Sequence, residues 1–248
     1  MPTTLVNTKT DTTTSTDPYA GYERWKLWDK PFTYTREEAA YFKGETRGLA
    51  IEGARVLEIG FGEGGFLAWA RDNRAAIAGI EIIPALLDAA RSQNVDLLPA
   101  EFEQVASDHA GRFDTIAAFD VFEHFPLEVV VTRLKACETM LKDGGQLILR
   151  FPNAQSPFGF APQNGDPTHR SALSRGVIEK LTQGMDLKVL RYAPSFRVRG
   201  TGLAQRLCRA LRYVVRNMIA AILNWIYTQQ IPWDPVVVIV LSKMPNGN

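Results

Sequence analysis

The stretch Val56-Leu57-Glu58-Ile59-Gly60-Phe61-Gly62-Glu63-Gly64-Gly65-Phe66 constrains this chain more than any other. An apolar run carrying one carboxylate ends in a glycine-rich loop, and a helical pattern opens directly behind it. That order is strand, tight turn, helix. Glycine permits positive φ and leaves no Cβ between the backbone and an approaching ligand. A helix starting there points unpaired N–H groups over the turn. The stretch reads as a cradle for a nucleotide-type cofactor on an α/β sheet.

From residue 54 strands and helices alternate. The pattern predicts strands at Arg55–Ile59, Ala75–Ile80, Val95–Pro99, Thr115–Phe119 and Gln146–Phe151, with helices at Gly64–Asp72, Pro84–Ser92 and Leu127–Leu141. Such alternation implies a parallel sheet with helices on both faces, a three-layer Rossmann-like α/β fold. Further on, Ser174–Thr182 reads as a helix. Asp186–Tyr192 and Val236–Ser242 read as strands flanking a long helical pattern, Leu203–Ile231, so that a pair of strands is added to one sheet edge. Ahead of the alternation, residues 1–17 read as a disordered tail. Residues 18–50 read as a helical cover carrying Tyr19, Tyr22, Trp25, Trp28 and Phe32. The span 18–248 is long enough for one domain with a full core.

Gly60-x-Gly62-x-x-Gly65 satisfies the dinucleotide pattern, which alone is a weak signal. Glu58 decides against it. A pyrophosphate would be repelled by a carboxylate two residues before the loop, whereas the cationic sulfonium and ammonium of S-adenosylmethionine would be attracted. Glu81, at the end of the second strand, stands where a carboxylate takes ribose hydroxyls.

Several motifs together resemble class I S-adenosylmethionine-dependent methyltransferases: Leu57 through Gly64, Gly79-Ile80-Glu81, Phe113-Asp114 through Asp120-Val121-Phe122-Glu123-His124, and Leu141-Lys142-Asp143-Gly144-Gly145. The resemblance covers roughly residues 50 to 190. It implies a seven-stranded sheet, mostly parallel, with an antiparallel last strand. It implies that Glu58, Gly60, Phe61 and Gly62 line the methionine end. Glu81 would bind the ribose, Ile82 and Glu101-Phe102 would contact the adenine, and Asp120 would lie near the amino group. Ala100 leaves the register of the adenine contact open by one residue, and Ile82 and Phe102 also suit a plain core role.

Methyl transfer to a hydroxyl needs a proton removed. The chain has three histidines. His109 lies in a polar loop and reads as solvated. His124 follows Glu123 past the fourth strand, and His169 lies in a loop after the fifth, both at the edge where open α/β sheets carry function. Glu123, His124 and His169 are the candidate catalytic groups. Asp120, Glu123, His124 and His169 resemble the Glu-x-x-Glu-His cluster of metal-dependent O-methyltransferases, with Asp replacing the first Glu. That likeness implies a divalent ion such as Mg²⁺. The plain alternative is that Glu123 and His124 only orient their loop.

The loop from Phe151-Pro152-Asn153 to Asp166-Pro167-Thr168-His169-Arg170 is long enough to be functional. It resembles loops of methyltransferases linked to bacterial surface polysaccharides. The expected acceptor is therefore a hydroxyl of a sugar or lipid-linked glycan precursor. The alternatives are a small aromatic or quinone-like hydroxyl, or a non-catalytic cofactor-binding protein that touches membranes.

Net charge is only +1, which selects no partner. Its distribution is uneven: no acidic residue lies between Asp186 and Asp234, a window holding eight of the 28 basic residues. Within the segment 197–233, Leu203, Leu207, Leu211, Val214, Met218, Ile222 and Trp225 recur at helical spacing beside Arg206, Arg209, Arg212 and Arg216. This amphipathic insertion packs on its own domain, forms a dimer interface, or lies on an anionic membrane. Nucleic acid is not expected, because aromatic and basic residues do not interleave on a binding sheet. Two cysteines without metal or disulfide spacing, and no signal-type apolar segment, point to the cytoplasm.

Overall fold

The computed structural model describes Trp28 and residues 30–245. The tail 1–17 and most of the aromatic segment 19–32 lie outside the described residues. Seven strands form one sheet in the order β3-β2-β1-β4-β5-β7-β6. They are β1 (Arg55–Ile59), β2 (Ala76–Ile80), β3 (Asp96–Leu97), β4 (Phe113–Phe119), β5 (Leu141–Pro152), β6 (Leu187–Pro194) and β7 (Val236–Lys243). The helices are α1 (Arg36–Glu45), α2 (Gly65–Asp72), α3 (Pro84–Ser92), α4 (Leu127–Met140), α5 (Phe160–Gly165), α6 (Arg175–Leu181) and α7 (Leu203–Tyr227). β7 runs antiparallel to both β5 and β6, so the last strand is inserted between its neighbours in reverse.

Alternate strand residues feed two cores. Leu57, Ile59, Ile116, Leu147, Leu149 and Ile239 face α4 and α6, whose Leu134, Met140 and Ile178 complete one layer. Val56, Ile77, Ala117, Ile148 and Val240 face the opposite way onto Phe66, Leu67 and Trp69 of α2 and Leu86 of α3. Strands covered on both faces read as unbroken apolar runs, which is why β1, β4 and β5 were recognisable from sequence.

Departures from the expected boundaries have local causes. β3 is a two-residue edge strand. Leu98 still donates to Gly79 O at 3.0 Å, but Pro99 has no N–H to continue the ladder. β5 begins early because Leu141 already pairs with Phe113 before the chain turns at Gly144. α7 stops at Tyr227, where Thr228 takes a left-handed conformation with φ 52°.

α1 opens with a reciprocal cap between Thr35 and Glu38. It packs Phe42 against Phe66 and Trp69 of α2 at ring separations of 5.5 and 5.8 Å. Phe32 N donates to Glu63 O at 2.6 Å, tying the preceding segment to the glycine loop. The described part of the N-terminal cover therefore roofs the carboxyl end of β1. Sheet order reverses between β1 and β4, and ligands of open α/β sheets bind outside such a switch point.

Candidate active site

A cavity of about 540 Å³ opens there. Its floor is the glycine loop. Gly60 holds φ at 65°, and a Cβ on it would stand 2.6 Å from Val121 Cγ2. Gly62 holds φ at 51°, and a Cβ there would meet the Trp28 ring at 2.9 Å. Only glycine fits both positions. Glu81 braces the loop: its carboxylate accepts from Gly62 N at 2.8 Å, Ile82 N at 2.7 Å and Ile83 N at 3.2 Å. Three of about four lone-pair sites are thereby used, leaving one for a ligand hydroxyl.

Glu58 lines the same cavity and is buried, and its Oε2 has no hydrogen-bond partner. Burial, and then the neighbouring Glu81, hold its carboxyl well above the usual carboxylate range, while Arg150 pulls the other way. A buried carboxyl with one oxygen left without a donor among the described residues, beside an open cavity, suits a cation. The sulfonium and ammonium of S-adenosylmethionine match that demand, so the residues present fit this cofactor. Ile82 projects into the cavity half exposed, and Ala100 and Glu101 form the adjoining wall. Of the residues expected to line the cofactor site, Glu58, Gly60, Phe61, Gly62, Glu81, Ile82, Glu101 and Asp120 all border this space.

Phe102 does not. It is wholly buried in the core, with the Arg133 guanidinium 5.2 Å above its ring. The register after β3 shifts by one, so Ala100 and Glu101 face the cavity and Phe102 turns inward.

Asp120 ends β4 in a left-handed conformation, φ 57°. Few non-glycine residues tolerate this, and aspartate is among them. The turn aims its carboxylate at Arg150 on β5, which grips both oxygens; Nε lies 3.0 Å from Oδ1. Arg150 Nη1 also donates to Tyr41 Oη at 2.5 Å. Burial pushes that phenol up to about 12. Tyr41 in turn meets Ser195, which donates to Glu45. Asp120 is thus a cavity residue, and it stands apart from the expected metal set.

The other three members of that set converge. One ligand atom each from Glu123, His124 and His169 lies within 4.8 Å of the others. Glu123 is fully buried, and neither carboxyl oxygen has a hydrogen-bond partner. Burial, with the negative Asp120 next, raises its carboxyl well above the usual range. His169 Nε2 stands 4.0 Å from Glu123 Oε1.

The hydrogen-bond network assigns both imidazoles. Thr168 donates its hydroxyl to Asp166 Oδ1, so its oxygen accepts from His124 Nδ1–H at 2.8 Å. His169 Nδ1–H donates to Gln163 O at 2.9 Å. In the neutral form of each ring the lone pair then falls on Nε2. A lone-pair pair beside an unpartnered carboxyl forms an electron-rich nest suited to a proton or a small cation.

His109 lies in a 3₁₀ turn at the opposite sheet edge, with Nδ1 2.6 Å from Arg112 Nη1. The loop after β5 also differs from expectation. Asn153 is buried and donates to Pro232 O at 2.7 Å, and Ser156 donates to Trp233 O at 2.8 Å. Asp166 and Thr168 serve His124. Much of the polar chemistry expected to meet a polyhydroxylated acceptor is spent inside the fold. The cavity lining that includes His124 also carries the apolar groups Phe119, Val121 and Phe125, beside the charged Asp120, Arg133 and Arg150.

Arg150 was not singled out from the sequence. The available signal was one charge inside the apolar run Leu147-Ile148-Leu149-Arg150-Phe151. The Thr168–Asp166 support of His124 had no sequence signal beyond proximity.

Comparison with known proteins adds three findings. A family profile described as a methyltransferase domain matches residues 33–193. The chain is 35% identical over 120 residues to a protein of Xanthomonas campestris named ubiquinone biosynthesis O-methyltransferase, a match covering 46% of this chain and 48% of that protein. A protein of the same name from Xanthomonas oryzae is 34% identical over the same coverage. The chain thus spans about half the length of the curated relatives it matches. An S-adenosylmethionine-dependent methyltransferase structure from Archaeoglobus fulgidus superposes with a TM-score of 0.54 at 18% identity, over 84% of this chain and 90% of that one. Another from Mesorhizobium loti gives 0.55 at 13% identity, over 82% and 97%. At these identities the two structures speak for the fold alone.

Proposed function

The chain belongs to the methyltransferase domain family, and on that premise we propose that it O-methylates a hydroxyl of a small aromatic or quinone-like acceptor using S-adenosylmethionine. The observation that carries the acceptor class is that Phe119, Val121 and Phe125 line the cavity with His124, the member of the Glu123–His124–His169 nest that borders it. The names of the Xanthomonas relatives support the same class. The sugar acceptor expected from sequence loses support, because Asn153, Ser156, Asp166 and Thr168 make internal bonds.

When bound, S-adenosylmethionine supplies an electrophilic methyl group on a sulfonium. Glu58 offers its unpartnered carboxylate to the positive end, Glu81 its remaining lone pair to the ribose, and Ile82 an apolar face to the adenine. His124, held in one tautomer by Thr168, offers Nε2 to the acceptor proton. Glu123 and His169 lie beside it to hold the charge that follows. The same three side chains fit a divalent ion, since each imidazole is oriented through its other nitrogen, as metal-ligating histidines are. With Asp120 withdrawn, two nitrogens and one carboxylate suit Mn²⁺ or Zn²⁺ better than Mg²⁺. Such an ion would lower the acceptor hydroxyl pKa.

The test is mass spectrometry after incubation of the protein with S-adenosylmethionine and two acceptor panels, catechols and hydroxyquinols against hydroxylated sugars. Methylation confined to the aromatic panel is the expected result. Transfer only to sugars would overturn the acceptor class. Cofactor binding with no transfer to either panel would favour a non-catalytic role.

A further inference from the structure

Amphipathic helices normally turn their apolar face to the protein. α7 does the reverse. It holds the body through polar groups: Arg209 pairs with Glu37 at 3.0 Å, Tyr213 donates to Val198 O at 2.8 Å, and Arg216 pairs with Asp234. Arg197 donates to Asn217 at 2.7 Å, and Asn224 accepts from Trp233 Nε1 at 2.7 Å. No residue of α7 is buried. Leu203, Leu207, Leu211, Met218, Ile222 and Trp225 are all exposed, Trp225 by 81%. At about 100° per residue these six fall in an arc of about 100°, centred roughly 140° from the anchoring side chains. The helix is about 37 Å long at 1.5 Å per residue, so this is an extended apolar ridge on the surface.

We propose that this ridge docks α7, lying flat, on an anionic lipid surface. Two observations favour lipid over other occupants. Arg206 and Arg212 flank the apolar arc on its two sides; among the described residues the Arg206 side chain bonds the Gly200 carbonyl and no carboxylate, and Arg212 has no ion pair. That is the arrangement in which cations meet phosphates while the apolar arc enters the headgroup boundary. A second copy of the chain would bring the same helix, and no acid lies between Asp186 and Asp234 to answer either arginine. No described helix is long and apolar enough to cross a membrane, and a flat orientation does not require one. The proposal is independent of the methyl acceptor.

The test is flotation of the full chain with vesicles of phosphatidylcholine alone and of phosphatidylcholine mixed with phosphatidylglycerol. The wild type should float with the mixed vesicles and remain behind with the neutral ones. Leu211→Glu/Met218→Glu and Arg206→Glu/Arg212→Glu should each weaken that binding by about tenfold or more. All four side chains are exposed and outside the cofactor cavity, so S-adenosylmethionine affinity should stay unchanged and reports folding. Equal flotation of the variants and the parent would overturn the proposal, as would equal binding to both vesicle types. A dimer abolished by Leu211→Glu/Met218→Glu, without any flotation of the parent, would assign the ridge to a second copy instead.

Discussion

Glu58 on β1 and Glu123 in the 3₁₀ turn after β4 are two buried carboxyls, each with an oxygen that no donor among the described residues satisfies. Burial raises both well above the ordinary range. What lies beside them differs. Glu58 borders an open cavity roofed by the N-terminal segment and floored by glycines. Glu123 is closed in by two imidazoles, each with a ligand nitrogen within 4.8 Å of the carboxyl and of the other ring's. One environment suits a large organic cation and the other a proton or a compact ion. The same side chain, equally buried, meets two different surroundings.

The sharpest way to break this contrast is to remove the closed nest. His124→Ala or Glu123→Gln should lower turnover by about 10²–10⁴-fold while cofactor affinity stays near the parent value, read by steady-state kinetics and calorimetry. A comparable loss of cofactor affinity would mean that the two carboxyls belong to one site. Chelation refines the outcome. If an ion sits in the nest, a chelator should reduce the wild type to the level of Glu123→Gln, with recovery on adding Mn²⁺ or Zn²⁺. Unchanged turnover would leave the imidazoles as bases.

Glu58 gives an effect on binding. Its carboxyl is raised, so the neutral form persists to higher pH in the free protein, and folding loses stability as pH climbs through that raised value. A bound cation favours the anion, so cofactor binding should release a proton and tighten over the same interval. Glu81 at the end of β2 and Arg150 on β5 act on the group and shift the interval without reversing its sign. Glu58→Gln should flatten the pH dependence and weaken binding by about tenfold or more. A parallel pH profile for the variant would remove Glu58 from the cation site.

The smallest effect tests the support behind the nest. Thr168→Val keeps the volume but leaves His124 Nδ1 without its acceptor. Turnover should fall by about tenfold, with a shifted pH–rate profile and little change in melting temperature. An unchanged profile would show that the tautomer is set elsewhere.

How far the sequence could be read depended on the range of the interaction. Strand β1, the glycine loop and α2 are contiguous, and their periodicities survive in the string of residues. The same holds for Glu58 and Glu81, which lie at strand ends. Phe102 was misjudged because one residue of register after a two-residue edge strand decides between cavity and core. Asp120 was expected among the metal ligands because spacing alone does not reveal a left-handed turn toward Arg150. The polar loop after β5 suggested a hydroxylated acceptor, since composition does not say which donors are consumed within the fold.

By itself, the sequence determined the α/β architecture, the glycine-rich turn between β1 and α2 and the amphipathic nature of residues 203–227. These are local patterns of apolarity, glycine and charge. Only the tertiary structure decided which carboxyls are left unpartnered, which nitrogen of each imidazole carries the lone pair, and which face of α7 meets the body. Those outcomes depend on contacts between segments far apart in the chain, where Arg150, Thr168 and Asp234 choose their partners by position in space.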